Sequence, residues 1–321
     1  MMSRRFTSWI VPGMFALIAP LLAVRAVNAL TRSDGLLPGN ILLGCLAAGF
    51  LYFVSHVLRA VRLAVIAMPM LGISFRTTCM LHFFVAPWSL FMPFKFDELI
   101  RLNELRRTGH SWSRSIITLL IDRSMDGVVL CGLSLLLLAS GRPIAQGLIA
   151  LLSAGLLTIA VVFFVLPVML EALQRYIFMH HYRQSAVQFL KTVNNTRGLL
   201  VISKRAIGGA APFLVLTTLG IWALEFAAIF SLVGLIDVST SSPLDLVELT
   251  LQRADSSWRI LLLGMPGSST VHLLTVTFYG VLMLAWPWSM LVYRARQGVE
   301  PLRPRLPQAN GLSIVSSFRQ V

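Results

Sequence analysis

The sequence predicts an all-α fold: a polytopic integral membrane bundle of about six spans plus re-entrant segments. Three observations predict it. Hydrophobic residues make up 56% of the 321 positions and charged residues 12%, where a soluble domain averages about 45–50% and about 25%. Mean hydropathy is +0.79. The apolar residues also fall into runs of about 20, the length of one helical crossing. These features exclude an ordinary soluble enzyme, a disordered chain and a nucleic-acid-binding domain. The net charge of +14 does not restore nucleic acid as a partner. The basic residues border apolar runs and form no basic domain, as expected of cytoplasmic loops and contacts with anionic lipid.

The first span runs from Trp9 to Leu30, with Arg25 placed to snorkel at its far end. It shows no small-residue cleavage pattern, so it reads as a retained helix. After a short loop with Gly35 and Pro38, the second span covers Asn40 to Leu58 and ends at Arg59 and Arg62. Thr77 to Met92 is apolar, interrupted by Pro87 and closed by Pro93, and Lys95 to Arg114 is polar and amphipathic. Spans follow at Ile116–Ala139 and Pro143–Leu170, then a basic interfacial or cytoplasmic stretch at Glu171–Arg205, then a span at Ala210–Ile236. In the polar loop Asp237–Arg259, Ser242-Pro243 with Asp245 marks a helix start. Ile260–Met265 is too short to cross and is broken by Pro266-Gly267. Thr270–Tyr293 is the last span, with Trp286 and Trp288 as an interfacial aromatic pair. Residues 1–300 form one membrane domain, with halves 1–140 and 141–300, and residues 301–321 a mobile cytoplasmic tail.

Lysine and arginine set the orientation: both termini cytoplasmic, with most basic residues on that side. Thr77–Met92 then lies between two basic segments that both belong inside. A hairpin that dips into the membrane and returns resolves the conflict, provided protein or a hydrated cavity covers its backbone; a plain crossing would break the charge rule. Each half then reads as span, span, broken segment, span, and three spans per half invert the second relative to the first. That arrangement is a transporter architecture with its binding site at the repeat interface.

The charged residues are the chemistry-bearing feature. Asp97 and Arg101 stand at i, i+4, and Glu98 and Arg101 at i, i+3. Asp122 and Asp126 share one face of an otherwise apolar span, with Arg123 beside them. Each costs about 2.5–3.5 kcal/mol at a membrane helix centre on insertion scales, unless it pairs or faces water. Two compatible readings follow. One is an internal ion-pair clamp from Arg101 or Arg123 to the acids. The other is a charge-balanced cavity for a lipid headgroup or a proton. Glu225, alone in its span, would pair with a bundle arginine such as Arg123 or be protonated. Arg59 and Arg62 suit either phosphate or simple positive-inside anchoring.

Arg59 and Arg62, then Pro93-x3-Asp97-Glu98-x2-Arg101, then Thr108-Gly109, then Asp122-Arg123-x2-Asp126 resemble the family of the lysylphosphatidylglycerol synthase transmembrane region. Its stand-alone members are flippase-like membrane proteins. The likeness covers Arg59–Leu138. Asp97 replaces a family glycine, and a later Pro-Gly-Gly-x-Gly segment is matched at best by Pro266-Gly267-Ser268-Ser269. The resemblance implies a bacterial inner-membrane protein that handles lipid in envelope lipid or glycan export, without aminoacyl transfer.

The expected function is therefore binding or translocation of a lipid, whether anionic phospholipid, glycolipid or polyprenyl-linked intermediate. Its site residues are Arg59, Arg62, Pro93, Glu98, Arg101, Asp122, Arg123, Asp126 and Glu225. One alternative is a non-catalytic assembly subunit with envelope-biosynthesis protein partners. Another is a lipid-carrier transferase using acids at Asp34 or in Asp237–Asp255. No cofactor motif appears. Cys45, Cys79 and Cys131 lack metal or disulfide spacing, and His180-His181 has no ligand-spaced neighbour. Asp122-x3-Asp126-Gly127 is too short an aspartate pattern for a CDP-alcohol phosphotransferase.

Overall fold

The computed structural model describes residues 38–87, 89, 97–109, 111–141, 146–180, 184–236, 244, 277–278, 280–282 and 284–286. All regular structure among them is helical. The helices are α1 (Pro38–Leu71), α2 (Phe75–Val85), α3 (Asp97–Gly109), α4 (Trp112–Ala139), α5 (Gln146–Ala160), α6 (Leu166–His180) and α7 (Gln184–Ile236). Three stretches are long and apolar enough to cross a membrane: Leu43–Leu71, Ser153–His180 and Val187–Leu232. The 28-residue α4 has the length, but Asp122, Arg123 and Asp126 interrupt its apolar stretch. Of the expected six spans, Trp9–Leu30 lies outside the described residues and Thr270–Tyr293 is described only in part. Ile260–Gly267 and the tail 301–321 also lie outside them.

The bundle is apolar outside and holds a charged cluster within an otherwise apolar core. Leu43, Phe50, Val128, Leu216 and Phe230 are exposed, whereas Arg62, Arg101, Asp122 and Glu225 are each at most 3% exposed. In water that arrangement would be unfavourable; lipid tails cover the apolar exterior, and charged groups must then find partners in the interior.

Helix α1 corrects the expected end of the second span. It does not stop at Leu58 but runs 34 residues, about 51 Å at 1.5 Å per residue. Hydropathy falls at Arg59 and Arg62 and resumes at Ile66, Ala67 and Met70, which are buried in the core. The two arginines are therefore mid-helix and turned inward. Gly72 ends the helix at φ 67° and donates to Met68 O at 3.0 Å, the left-handed cap that glycine takes without strain. Ser74 then caps α2, its hydroxyl accepting from Thr77 N.

Helix α2 packs back along α1, with His82 beside His56 and Phe83 beside Phe53. A turn follows at Ala86-Pro87. The return arm is α3. It has Asp97 and Glu98 in its first turn and Arg106 and Arg107 in its last, matching the helix dipole. It ends beside the α1 C-terminus, where a Cβ on Gly109 would meet Leu71 Cδ2 at 2.8 Å and Leu71 Cβ at 3.0 Å. The start of α2 and the end of α3 thus lie at the same end of α1. Asp97, Arg101, Glu104 and Leu105 of the polar, amphipathic stretch Lys95–Arg114 are buried.

The contact explains the Thr108-Gly109 pair: Thr108 Oγ1 donates back to Glu104 O at 2.9 Å, and glycine lets α3 close on Leu71. Gly109→Val is expected to cost about 1–3 kcal/mol through overpacking. Thermal unfolding in detergent should show the loss, and Leu71→Ala in the same chain should recover part of it.

Beyond α4, the expected boundaries also shift. Helix runs from Gln146 to His180 without a break, with a π-turn at Val161–Val165 where Leu166 N bonds to Val161 O, five residues back. Pro167 follows at once. It has no N–H for Phe163 O and its ring crowds that carbonyl, so the ladder widens. Helix α7 is continuous for 53 residues and includes Pro212, so the basic stretch before Arg205 and the span after Ala210 are one helix. It runs antiparallel to α1, with which it makes the most extensive pairing. Thr277, Phe278 and Val281 pack on Cys45, Tyr52 and Gly49 of α1. Trp286 is buried and does not face an interface.

Candidate functional site

Four elements bring the charged residues together. α1 supplies Arg59 and Arg62, α3 supplies Glu98 and Arg101, α4 supplies Asp122, Arg123 and Asp126, and α7 supplies Glu225 with Thr218. On α4 the polar positions Ser115, Thr118, Asp122 and Asp126 recur every three or four residues and face inward. Ser115 and Thr118 return their hydroxyls to carbonyls of their own helix, leaving the two aspartates to reach across.

Arg62 is the hub. Its Nε donates to Asp122 Oδ1 at 2.9 Å. Its Nη1 and Nη2 donate to the two oxygens of Asp126 at 2.8 and 3.0 Å, and Nη1 also donates to Thr218 Oγ1 at 3.2 Å. The fork grips both aspartates of α4 and touches α7, geometry that a lysine could not reproduce. Arg59 Nη2 donates to Glu225 Oε1 at 2.7 Å, and its Nη1 lies 3.8 Å from Asp126 Oδ2. Glu225 therefore pairs with Arg59, not with Arg123. The two arginines expected at a cytoplasmic helix end tie α1 to α4 and α7 instead.

The second layer is looser. Arg123 Nε lies 2.9 Å from Glu98 Oε1, Nη2 3.3 Å from Asp122 Oδ2 and Nη1 3.4 Å from Asp126 Oδ2. Arg101 Nη1 stands 3.7 Å from Glu98 Oε1 and 3.8 Å from Asp122 Oδ2. The four guanidinium groups (59, 62, 101, 123) and four carboxylates (98, 122, 126, 225) sum to zero charge. Exposure grades across the network: the Arg62 side chain is 1% exposed, Glu98 17% and Arg123 28%. The network is closed at Arg62 and accessible at Arg123, Glu98 and Arg59.

Lysylphosphatidylglycerol synthase TM region is the family description that matches residues 9–253, about three quarters of the sequence. The chain belongs to this family. No curated protein and no solved structure matches it. The match reaches well beyond Arg59–Leu138, where the sequence likeness is most legible, and takes in Glu225 and Thr218. Family membership and the apolar helices together make this an integral membrane protein of lipid-related processes. At the family's glycine position, Asp97 is the first residue of α3 in ordinary helical backbone, which an aspartate takes without strain.

Pro93, Asp34 and the acids of Asp237–Asp255 lie outside the described residues. Nothing in the sequence singles out Thr218, or a buried imidazole pair next to the network. His56 Nδ1 and His82 Nε2 are 3.2 Å apart, with Tyr52 edge-on to His56. Each histidine is solitary in its helix, and only the fold of α2 onto α1 brings them together. Among the described residues no group of three or more His, Cys, Asp or Glu could hold a metal ion.

Proposed function

We propose that the chain binds a lipid or lipid-linked intermediate and moves its headgroup through the charged pocket between α1, α3, α4 and α7. A network of eight ionisable groups whose formal charges cancel, enclosed by an apolar exterior but accessible at Arg123, Glu98 and Arg59, carries the reading. A structural clamp alone needs no accessible edge. A polar headgroup entering from lipid needs charges already desolvated and balanced, with one side reachable. The family's link to lipid processes supports the same reading. In this proposal α2 and α3 form a re-entrant hairpin from the cytoplasmic side of a bacterial inner membrane, both termini are cytoplasmic, and no catalytic step is assigned to the chain.

The test is translocation of a fluorescent phospholipid by the purified protein in liposomes. Glu98→Gln keeps the side-chain shape and removes a charge at the open edge. It is expected to cut translocation at least tenfold while the protein stays monodisperse and helical. Translocation at the wild-type rate by Glu98→Gln would remove the pocket from the pathway.

A further inference from the structure

Among the arginines of the network, Arg59, Arg101 and Arg123 each keep a buried nitrogen with no hydrogen bond, although Arg59 Nη2 donates to Glu225 and Arg123 Nη1 to Asp126 Oδ2 at 3.4 Å. Arg62 spends Nε, Nη1 and Nη2 on Asp122, Asp126 and Thr218. Arg101 is 3% exposed, yet its Nε and Nη1 are buried and donate no hydrogen bond. Arg123 Nε is close to Glu98 Oε1, but it too is buried and donates none. Both guanidinium groups crowd the same two oxygens, Glu98 Oε1 and Asp122 Oδ2, each within 4 Å. Glu98 is loosely held in return: its Oε2 is buried with no hydrogen-bond partner.

Buried charged donors are normally satisfied, and exceptions call for an explanation. Here the explanation lies in shape. Glu98 offers a planar carboxylate from the first turn of α3, and as placed it forms no hydrogen bond with Arg101 of α3 or with Arg123 Nε of α4, its Oε2 standing unpartnered. A tetrahedral oxyanion can meet donors from both helices, because its oxygens point in several directions and guanidinium forks match them. We propose that Arg101 and Arg123 form a phosphate-binding subsite, and that Glu98 is a placeholder which the phosphate of the lipid headgroup displaces. Arg62 is then the rigid floor of the subsite and not a ligand. This rests on the lipid-binding reading above and adds the chemistry recognised. A free phosphate ion carries the same chemistry, so the two sources must be separated.

The experiment uses the full chain in mild detergent, offered dioleoylphosphatidylglycerol or dioleoylglycerol, which differ in the phosphate headgroup. Retained lipid is counted by native mass spectrometry. Wild type is expected to keep the phospholipid over the diacylglycerol. Arg101→Gln and Arg123→Gln are expected to lose that preference about tenfold or more. Glu98→Gln is expected to retain several-fold more phospholipid, because the competing carboxylate is gone. This gain is the decisive readout, since a destabilised protein cannot produce it. Competition by millimolar inorganic phosphate would assign the subsite to the bare anion as well. Arginine-dependent retention without such competition would assign it to the lipid headgroup. Equal retention by wild type and both arginine variants, or weaker retention by Glu98→Gln, overturns the subsite. If both lipids are retained equally and translocation persists, the subsite falls while the lipid reading stands. If neither lipid is retained nor moved, both fall.

Discussion

Arg62→Ala is expected to leave little folded protein. The substitution takes the closest hydrogen-bond donor from Asp122 and Asp126, both turned inward on α4 and at most 7% exposed, and leaves them the longer contacts to Arg123. Breaking a buried pair from one side costs about 3–5 kcal/mol, because the remaining charge has neither water nor partner. Here one arginine serves two carboxylates, while Arg123, at 3.3 and 3.4 Å from Asp122 and Asp126, offsets part of the loss without replacing the fork, so the cost falls within that range. Arg62→Lys is expected to recover little, as a point charge cannot bond Asp122, both oxygens of Asp126 and Thr218 together. Monodisperse yield and the thermal midpoint in detergent are the measurements. The triple variant Arg62→Met, Asp122→Asn, Asp126→Asn removes the charges as a set and is expected to fold better than Arg62→Ala, because a whole buried ion group can often be replaced at little cost. Equal stability of Arg62→Ala and wild type would show that water reaches the aspartates and that Arg62 holds nothing together.

Legibility from sequence followed the distance between partners along the chain. Asp122, Arg123 and Asp126 stand out because three charges within one turn of an apolar run are costly wherever the helix sits. Glu98 and Arg101 are equally visible as an acid–base spacing. Arg59 and Arg62 are visible as residues but not in place. A hydropathy reading ends a span where charge begins, and only partners 60 to 166 residues away allow the helix to continue through them. The depth of α3 is not legible either: its composition is polar, yet Asp97, Arg101 and Glu104 are buried, Arg101 facing Asp122 of α4 at 3.8 Å. Glu225 reads from the sequence as pairing with a bundle arginine such as Arg123 or being protonated; it does meet a bundle arginine, and the antiparallel register of α1 and α7 makes that arginine Arg59. That register is written in small contacts such as Gly220 against Leu58, which carry no sequence signal of their own.

Glu225 tests that register. Its carboxylate is buried on α7 and holds Arg59 at 2.7 Å; replacing it by alanine leaves Arg59 only the more distant Asp126 Oδ2 at 3.8 Å. Arg59 is 17% exposed, so water relieves part of the loss. Glu225→Ala is therefore expected to cost about 2–3 kcal/mol, less than a fully enclosed pair. Arg59→Met should cost a similar amount by removing the 2.7 Å ion pair to Glu225. Together, Arg59→Met with Glu225→Leu should be more stable than the sum of the single losses implies, with a coupling of about 1.5–3 kcal/mol for a charge-assisted bond. Denaturant titration of the four proteins in one detergent gives the cycle. Additivity within about 0.5 kcal/mol would mean that the two groups do not interact in the folded protein. A clear coupling fixes α7 against α1 at this level. It would also leave Arg123 and Glu98, on the other side of Asp126, as the part of the network free to change partners.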